Sequence, residues 1–295
     1  MKRTGFIAIV GRANVGKSTL LNALLGEKIA ITSKKPQTTR TRITGVLTKG
    51  DDQYVFLDTP GMHIPKTRLG TTMVKAVNGA ISGADAALLV VDAGYEPGDI
   101  EEDILKKLSN FSLPVILVLN KTDKTDAERI AQTMIAYSQL QEFVSIVPIS
   151  ALKEDGVDIV LSESAAFMQE SEWFFEEDAL TDQHEVQIAS EIIREKLLRL
   201  LEDELPHGVA VMIEEFKESK SGLSIRAEIF CERETHKGMI IGKQGALLKK
   251  IGTYAREDME KFFGVGVYLD LWVKVKENWR NNEFLINSFG LRRDD

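Results

Sequence analysis

At 295 residues, 43% hydrophobic and 28% charged with only 7 prolines, the chain has room for two domains and the composition of an ordinary globular protein, which excludes fibrous and low-complexity classes. Its single cysteine, Cys231, excludes a disulfide framework, and its longest apolar runs, Ala86–Val91 and Val115–Leu119, fall far short of the roughly 20 residues that span a bilayer. A net charge of −8 does not advertise a nucleic-acid binder, so any such surface has to be local.

The opening residues, MKRTGFIAIVG, run into a glycine turn rather than a signal-peptide cleavage site, which sets the expectation of a cytoplasmic protein. Short apolar runs then alternate with amphipathic stretches. The runs are Phe6–Val10, Tyr54–Leu57, Ala86–Val91, Val115–Leu119 and Ser145–Pro148, and uninterrupted apolar runs of this kind suit strands covered on both faces. Ile100–Leu108 and Ile130–Leu140 have helical spacing, and Ile43–Lys49 reads as an antiparallel partner hairpinned to the strand at Tyr54. This pattern predicts a doubly wound α/β domain with a mixed sheet over residues 1–172.

Ser171–Gln183 breaks the pattern with acidic and aromatic residues. Within it, residues 173–183 read as a linker whose Trp173, Phe174 and Phe175 dock on a domain surface. A helix is then expected over Glu185–Leu205, with Ile188, Ile192, Leu197, Leu200 and Leu201 on its apolar face and Pro206–Gly208 as its stop. Strands follow at Val209–Phe216 and Leu223–Cys231 around a polar turn, Lys217–Gly222. A short helix at Thr235–Ile240, a glycine-flanked turn, a helix over Ala246–Phe262 and a strand at Val267–Val275 complete a smaller α+β domain over 184–295. Cys231 reads as a small strand residue and Trp272 as core.

Charge is unevenly spread over that second domain. From His184 to Glu234 there are 7 basic and 12 acidic side chains, and from Thr235 to Arg280 there are 9 basic and 5 acidic. The second window, at +4, qualifies as a phosphate-contacting surface; the competing reading is a solvated helix face.

The first motif is Gly11-Arg12-Ala13-Asn14-Val15-Gly16-Lys17-Ser18, placed after a strand and opening a helix. Its glycines let backbone N–H groups turn inward around α- and β-phosphates, and the helix adds its positive end. Lys17 is expected to reach the β- and γ-phosphates, Ser18 to ligate Mg²⁺, and Thr19 to join the loop behind it. Asp58-Thr59-Pro60-Gly61 ends the strand at Tyr54, where Asp58 could hold Mg²⁺ and Gly61 offer its N–H to a γ-phosphate. Asn120-Lys121-Thr122-Asp123 ends another strand, on the edge where open α/β sheets bind ligands. A carboxylate at Asp123 accepts from both N1–H and the 2-amino group of guanine, whereas adenine would leave it unpaired. Ser150-Ala151-Leu152 completes the base pocket through a backbone N–H. A GTP site with GDP as product follows, with Lys17, Asp58 and Gly61 in its catalytic machinery.

These four motifs resemble translation-factor-type GTPases, and Lys35-Pro36-Gln37-Thr38-Thr39-Arg40 resembles the switch I signature of the Era family of bacterial ribosome-assembly GTPases. The resemblance implies Thr39 as catalytic and as the third Mg²⁺ ligand, with Thr38 the alternative. Small GTPases usually carry lysine where Leu152 stands. Met62 follows the Asp58–Gly61 motif where Ras-type relatives carry a water-orienting glutamine, so hydrolysis is expected to be slow without help. Asn14 matches the potassium-coordinating asparagine of potassium-activated relatives, or else stabilises its own turn.

In the second domain, Ile240-Ile241-Gly242-Lys243-Gln244-Gly245 leads into a helix carrying Lys249. Two glycines around two polar residues at a helix start let a nucleic-acid backbone approach, with Lys243 answering phosphate. The element order resembles a type II KH domain, which implies RNA contacts at Ile241, Gly242, Lys243, Gln244, Gly245 and Lys249. Ala189-Ser190-Glu191-Ile192-Ile193-Arg194-Glu195-Lys196 resembles the first KH helix of the same family. The family resemblance further implies small-subunit ribosomal RNA and the 30S subunit as partners, a monomer, and loose peripheral association with the inner membrane. A GTPase of the same class acting on another RNA, as in tRNA modification, is the nearest alternative; those lack a C-terminal GxxG module.

Overall fold

The structure, a computed structural model, describes residues 1–202, 205–220 and 222–291. The first unit runs β1 (Arg3–Val10), α1 (Lys17–Leu25), β2 (Ile43–Lys49), β3 (Asp52–Asp58), α2 (Arg68–Ser82), β4 (Ala86–Asp92), α3 (Asp99–Asn110), β5 (Val115–Asn120), α4 (Ala127–Ser138), β6 (Ser145–Pro148) and α5 (Val157–Ser164). Its sheet has the order β2-β3-β1-β4-β5-β6, parallel except for β2, which pairs antiparallel with β3 from Ile43↔Asp58 to Lys49↔Asp52. A seventh strand unforeseen from sequence, β7 (Gln169–Glu170), closes antiparallel on the start of β1.

Strand alternation explains why these runs read as wholly apolar. Ile7 and Ile9 face a core shared with Leu20 and Leu21 of α1 and Val160 of α5. Ala8 and Val10 face the opposite core, with Val77 of α2, Ile104 and Leu108 of α3, and Tyr137 of α4. Both faces are covered, so both parities of each strand are apolar. The stretch after β7 docks as expected: Phe174 meets Phe6 edge-on at 5.1 Å between ring centroids, and Phe175 packs against the Val55–Leu57–Ala80 cluster. Trp173 Nε1 donates to the Asp51 carbonyl, and the Val46 N–H donates to Leu180 O, so the segment also extends the β2 edge.

The second unit contains α6 (Glu185–Leu200), β8 (Ala210–Ser219), β9 (Gly222–Cys231), α7 (Glu234–Ile241), α8 (Ala246–Phe263), β10 (Val267–Val275) and α9 (Glu283–Ser288). β8 and β9 form an antiparallel hairpin, and β10 runs parallel to β9, giving the order β10-β9-β8. Ile188, Ile193 and Leu197 of α6 meet Ile225, Ala227 and Ile229 of β9 and Ile251, Ala255 and Met259 of α8 in one core.

Three expectations need correcting. Helix α6 stops at Leu200 rather than Leu205: Leu201 is extended (φ −90°, ψ 153°), buries its side chain, and turns its carbonyl to accept from Lys35 Nζ. The expected end, Leu205, instead belongs to a short 3₁₀ turn with Pro206–Gly208, while 203 and 204 lie outside the described residues. The hairpin turn is shorter than Lys217–Gly222, because β8 continues to Ser219 and β9 begins at Gly222; Ser221 lies outside the described residues. Trp272 is not core but 58% exposed, with its Nε1 donating to Asp270. The parity of β10 explains this: Val267 and Val273 are buried, so Trp272 points the other way. Cys231 is buried on β9, as expected.

The two units are joined by a core that sequence patterns did not suggest. Leu69 and Met73 of α2 pack against Ala210, Phe230, Trp279, Ile286, Phe289 and Leu291. Trp279 has no solvent exposure, and its Nε1 donates to Gly208 O at 2.9 Å. Arg68, at the start of α2, pairs with Glu283 of α9.

Candidate functional site

The loop between β1 and α1 has a backbone that only small residues tolerate. Gly11 has φ +150°, and a Cβ there would lie 2.2 Å from Val90 O; Gly16 has φ +103°, and a Cβ there would meet the Asn120 side chain at 2.2 Å. Asn14 is left-handed (φ 67°), and its Nδ2 donates to Lys34 O at 2.9 Å. Lys17 is buried and curls back, its Nζ donating to Gly11 O at 3.1 Å and Arg12 O at 2.8 Å. Burial pushes the Lys17 ammonium down to about 8, against the pull of Asp58.

Asp58 has no solvent exposure, and burial raises its carboxyl to about 6 despite Lys17 and the hydroxyls around it. Its Oδ2 accepts from Ser18 Oγ at 2.6 Å and from Thr39 Oγ1 at 3.5 Å, and those two hydroxyls lie 2.8 Å apart. Asp58 Oδ1 is buried without a hydrogen-bond partner. Two hydroxyls beside a carboxylate that keeps one oxygen unpartnered are a hard-oxygen set that fits a small divalent cation such as Mg²⁺. Thr38 stands apart from this cluster, with its Oγ1 donating to Lys35 O at 2.7 Å.

Gly61 touches the opposite wall. A Cβ there would lie 2.5 Å from Ala13 Cα, so a side chain would displace the phosphate loop. Thr59 is buried with its hydroxyl on Ile9 O, and Pro60 is also buried. The Met62 side chain packs into the core beside Val77, while its N–H donates to Gly11 O at 3.1 Å. Arg12 points outward to Glu101.

On the far side, Asn120 ties two loops together: its Nδ2 donates to Val15 O at 2.8 Å, and its Oδ1 accepts from the Ala151 N–H at 2.9 Å. Lys121 pairs with Asp92 at 2.8 Å. The Thr122 N–H donates to Ile149 O. Asp123 is exposed and accepts from Ser150 Oγ at 2.7 Å, a bond that holds its carboxyl below the usual range. Leu152 is 72% exposed at the rim.

A cleft of about 800 Å³ gathers Ala13, Asn14, Gly16, Lys17, Ser18, Thr19, Thr39, Gly61, Asn120, Lys121, Asp123 and Leu152. Gly11, Arg12, Val15, Asp58, Thr59, Pro60, Met62, Thr122, Ser150 and Ala151 do not line it. Sequence reasoning missed Lys34 and Lys124 on its wall, and above all Leu198 and Arg199, which reach it from α6. No motif marks those two, because they come from the other unit.

The second candidate surface is the turn before α8. Gly242 has φ 73°, and a Cβ there would lie 2.8 Å from Leu247 Cβ; Gln244 (φ 53°) and Gly245 (φ 78°) are also left-handed. Helix α8 starts with no side-chain cap; the N–H of its first residue, Ala246, donates to Lys243 O, and the helix still turns its positive end toward an anion there. Lys243, Gln244 and Lys249 are exposed there, and Ile241 is half-buried at the edge of the core.

Comparison with known proteins follows this division. A family model described as 50S ribosome-binding GTPase matches residues 6–121, and one described as KH domain matches residues 204–280. The chain is similar to the GTPase Era of Ruminiclostridium cellulolyticum, 47% identical over 291 residues and 98% of each chain. It is 48% identical to the GTPase Era of Clostridium kluyveri over 293 residues, covering 99% of this chain and 100% of that one. Among solved structures, an Aquifex aeolicus Era variant bound to GDP and aluminium fluoride matches with a TM-score of 0.95 at 40% identity, over 99% of this chain and 100% of that one. An Era in complex with MgGDPNP and nucleotides 1506–1542 of 16S ribosomal RNA matches with a TM-score of 0.96 at 39% identity, over the same shares.

Proposed function

The chain belongs to the Era family of GTPases, with a GTPase domain followed by a KH domain, and on that premise we propose that it is a GTP-driven switch that binds small-subunit ribosomal RNA and acts in 30S assembly. The observation that carries this reading is the full-length likeness to an Era held with MgGDPNP and a 16S ribosomal RNA fragment. Residues 1–172 form the GTPase unit in this reading, 173–183 the connection and 184–295 the KH unit. The test is anisotropy of a labelled RNA carrying the 3′ end of 16S ribosomal RNA, with the protein loaded with GDPNP. Tight binding that a scrambled RNA does not share is expected; equal affinity for both would overturn the RNA assignment.

The chemistry assigned to the cleft follows from its donors. Lys17 leaves the Gly11 and Arg12 carbonyls for the β- and γ-phosphates, whose oxygens are better acceptors. N–H groups of the 11–19 loop wrap the phosphates, and the Gly61 N–H serves the γ-phosphate. Ser18, Thr39 and Asp58 hold Mg²⁺, which when bound offsets the charge of the phosphates. Asp123 reads guanine, with Ser150 fixing its carboxylate and the Ser150-Ala151-Leu152 stretch offering a backbone N–H to the guanine oxygen.

Met62 keeps its thioether in the core, so no side chain at that position orients water. Basal turnover is therefore slow, below the roughly 1–100 s⁻¹ typical of kinases. In this reading Asn14 ligates potassium, and exchanging sodium for potassium accelerates hydrolysis; equal rates in the two salts would remove that role. The same reading makes the protein a cytoplasmic monomer with loose peripheral contact to the inner membrane. Among the described residues no helix is long and apolar enough to cross a membrane, so that contact is made from the surface.

A further inference from the structure

Helix α6 belongs to the KH side, yet one of its faces lies along residues 28–40 of the GTPase side. Glu195, with no side-chain exposure, accepts from Lys28 Nζ at 2.8 Å and from the Thr32 N–H at 3.1 Å. Arg199 Nη2 reaches Thr32 O at 3.4 Å, and Leu201 O accepts from Lys35 Nζ. Arg194 donates to the carbonyl of Thr38.

Thr38 O belongs to the peptide unit whose nitrogen is Thr39 N. A peptide unit is planar, so fixing its oxygen fixes the plane from which the Thr39 side chain departs. On the other side of Thr39, Arg40 donates to Val209 O at 2.6 Å and His207 O at 3.1 Å. The hydroxyl that meets Ser18 and Asp58 is thus slung between two guanidinium-to-carbonyl anchors that cross the seam between units.

Arg194 is an expensive way to make such an anchor. Its side chain is 2% exposed, its only carboxylate partner among the described residues is Glu191 one turn earlier, and its Nη1 is buried without a partner among them. Buried ion pairs of this kind add little stability over a packed apolar side chain, so what the guanidinium contributes is geometry.

We propose that Arg194 is a positioning residue for GTP hydrolysis: by holding the Thr38 carbonyl it sets Thr39 beside Ser18 and Asp58, so that the KH domain orders switch I within the same chain. This rests on Thr39 being the switch I Mg²⁺ ligand. GDP, lacking the γ-phosphate, does not need that ligand, so the effect falls on the triphosphate state alone.

The test uses the full chain with Arg194→Met, which keeps length and apolar packing, and Arg194→Lys, which keeps a donor but loses the fork. For Arg194→Met, kcat is expected to fall about tenfold and the Mg²⁺ concentration for half-maximal rate to rise, while GDP affinity stays within about twofold. Arg194→Lys should recover part of the loss. Glu191→Gln, which leaves the guanidinium in place but loosens it, should fall between wild type and Arg194→Met and serves if the methionine variant does not fold. Unchanged kcat and Mg²⁺ dependence in a folded Arg194→Met overturns the proposal. So does an equal weakening of GDP and GDPNP together with a lower Tm, which marks a purely structural role. If Thr39→Ala leaves the Mg²⁺ dependence of the wild type intact, the assignment of Thr39 beneath the proposal fails instead.

Discussion

Asp58 and Lys17 are both buried and both shifted toward their neutral forms by burial, more than their mutual attraction restores. Such a pair is costly unless a further charge arrives, and a nucleotide with its cation is the arriving charge that suits it. The hydroxyls around Asp58 give the sharpest residue-scale expectation. Thr39→Ala should raise the Mg²⁺ requirement of hydrolysis and lower kcat, whereas Thr38→Ala, whose hydroxyl bonds Lys35 O, should change both little. A larger effect from Thr38→Ala in a Mg²⁺ titration would reverse the assignment. At the other end of the cleft, Asp123→Asn exchanges an acceptor carboxylate for an amide that donates to the 2-oxo group of xanthine. GTP affinity should fall by roughly 10²–10⁴-fold, two charge-assisted bonds at about 1.5–3 kcal/mol each, while XTP affinity rises. Unaltered binding of the two nucleotides would show that Asp123 does not read the base.

At the scale of elements, α6 carries two jobs on two faces. One buries Ile188, Ile193 and Leu197 in the KH core, and the other presents Arg194, Glu195 and Arg199 to switch I. Burial alone would raise the Glu195 carboxyl, but hydrogen bonds from Lys28, the Thr32 N–H and Lys196 outweigh it and hold the group below its ordinary value. A carboxylate lowered in the folded state contributes stability that is present above its unfolded pKa, about 4.3, and is lost as pH falls through the lower folded value. Glu195→Gln should therefore unfold at lower temperature than wild type at pH 7, with a loss of about 1.5–3 kcal/mol. The gap should begin to narrow below about pH 4 and close only as pH falls through the lower folded value. A gap independent of pH in calorimetry would mean that packing rather than charge is lost. Pro206 marks a stop for α6 in the sequence, but the helix ends sooner because Leu201 leaves it to pack inward and give its carbonyl to Lys35. Residue type alone points Trp272 into the core, where it does not lie. Its strand parity, opposite to Val267 and Val273, was already written in the spacing.

At the scale of the molecule, the seam between units is polar along switch I and apolar behind α2, where Trp279 closes the core. The polar half is chained further: Lys196 bonds both Glu195 and Asp258, and Asp258 lies on α8, the helix that the Gly242–Gly245 turn opens. Lys243→Asp combined with Gln244→Asp places negative charge at the uncapped start of α8, where a phosphate would sit. RNA affinity should fall steeply while GTP binding stays near wild type, and any acceleration of hydrolysis by RNA should vanish with the binding. If the double variant still holds 16S ribosomal RNA tightly in a filter-binding assay, the RNA surface lies elsewhere. If it loses GTP as well, the two units act as one.

The amino-acid sequence alone determined the sheet, the phosphate loop and the guanine-side motifs. Each depends on neighbours within a few residues: a run of apolar side chains, a glycine whose φ is positive, a carboxylate at a strand end. The glycine turn before α8 was legible for the same reason. Only the tertiary structure decided that Thr39 rather than Thr38 stands by Asp58, that Met62 turns into the core, and that Arg194, Arg199 and Trp279 belong to the seam. Those placements depend on which carbonyl faces a guanidinium from more than 150 residues away, as Thr38 does with Arg194, and no local periodicity records such a pairing.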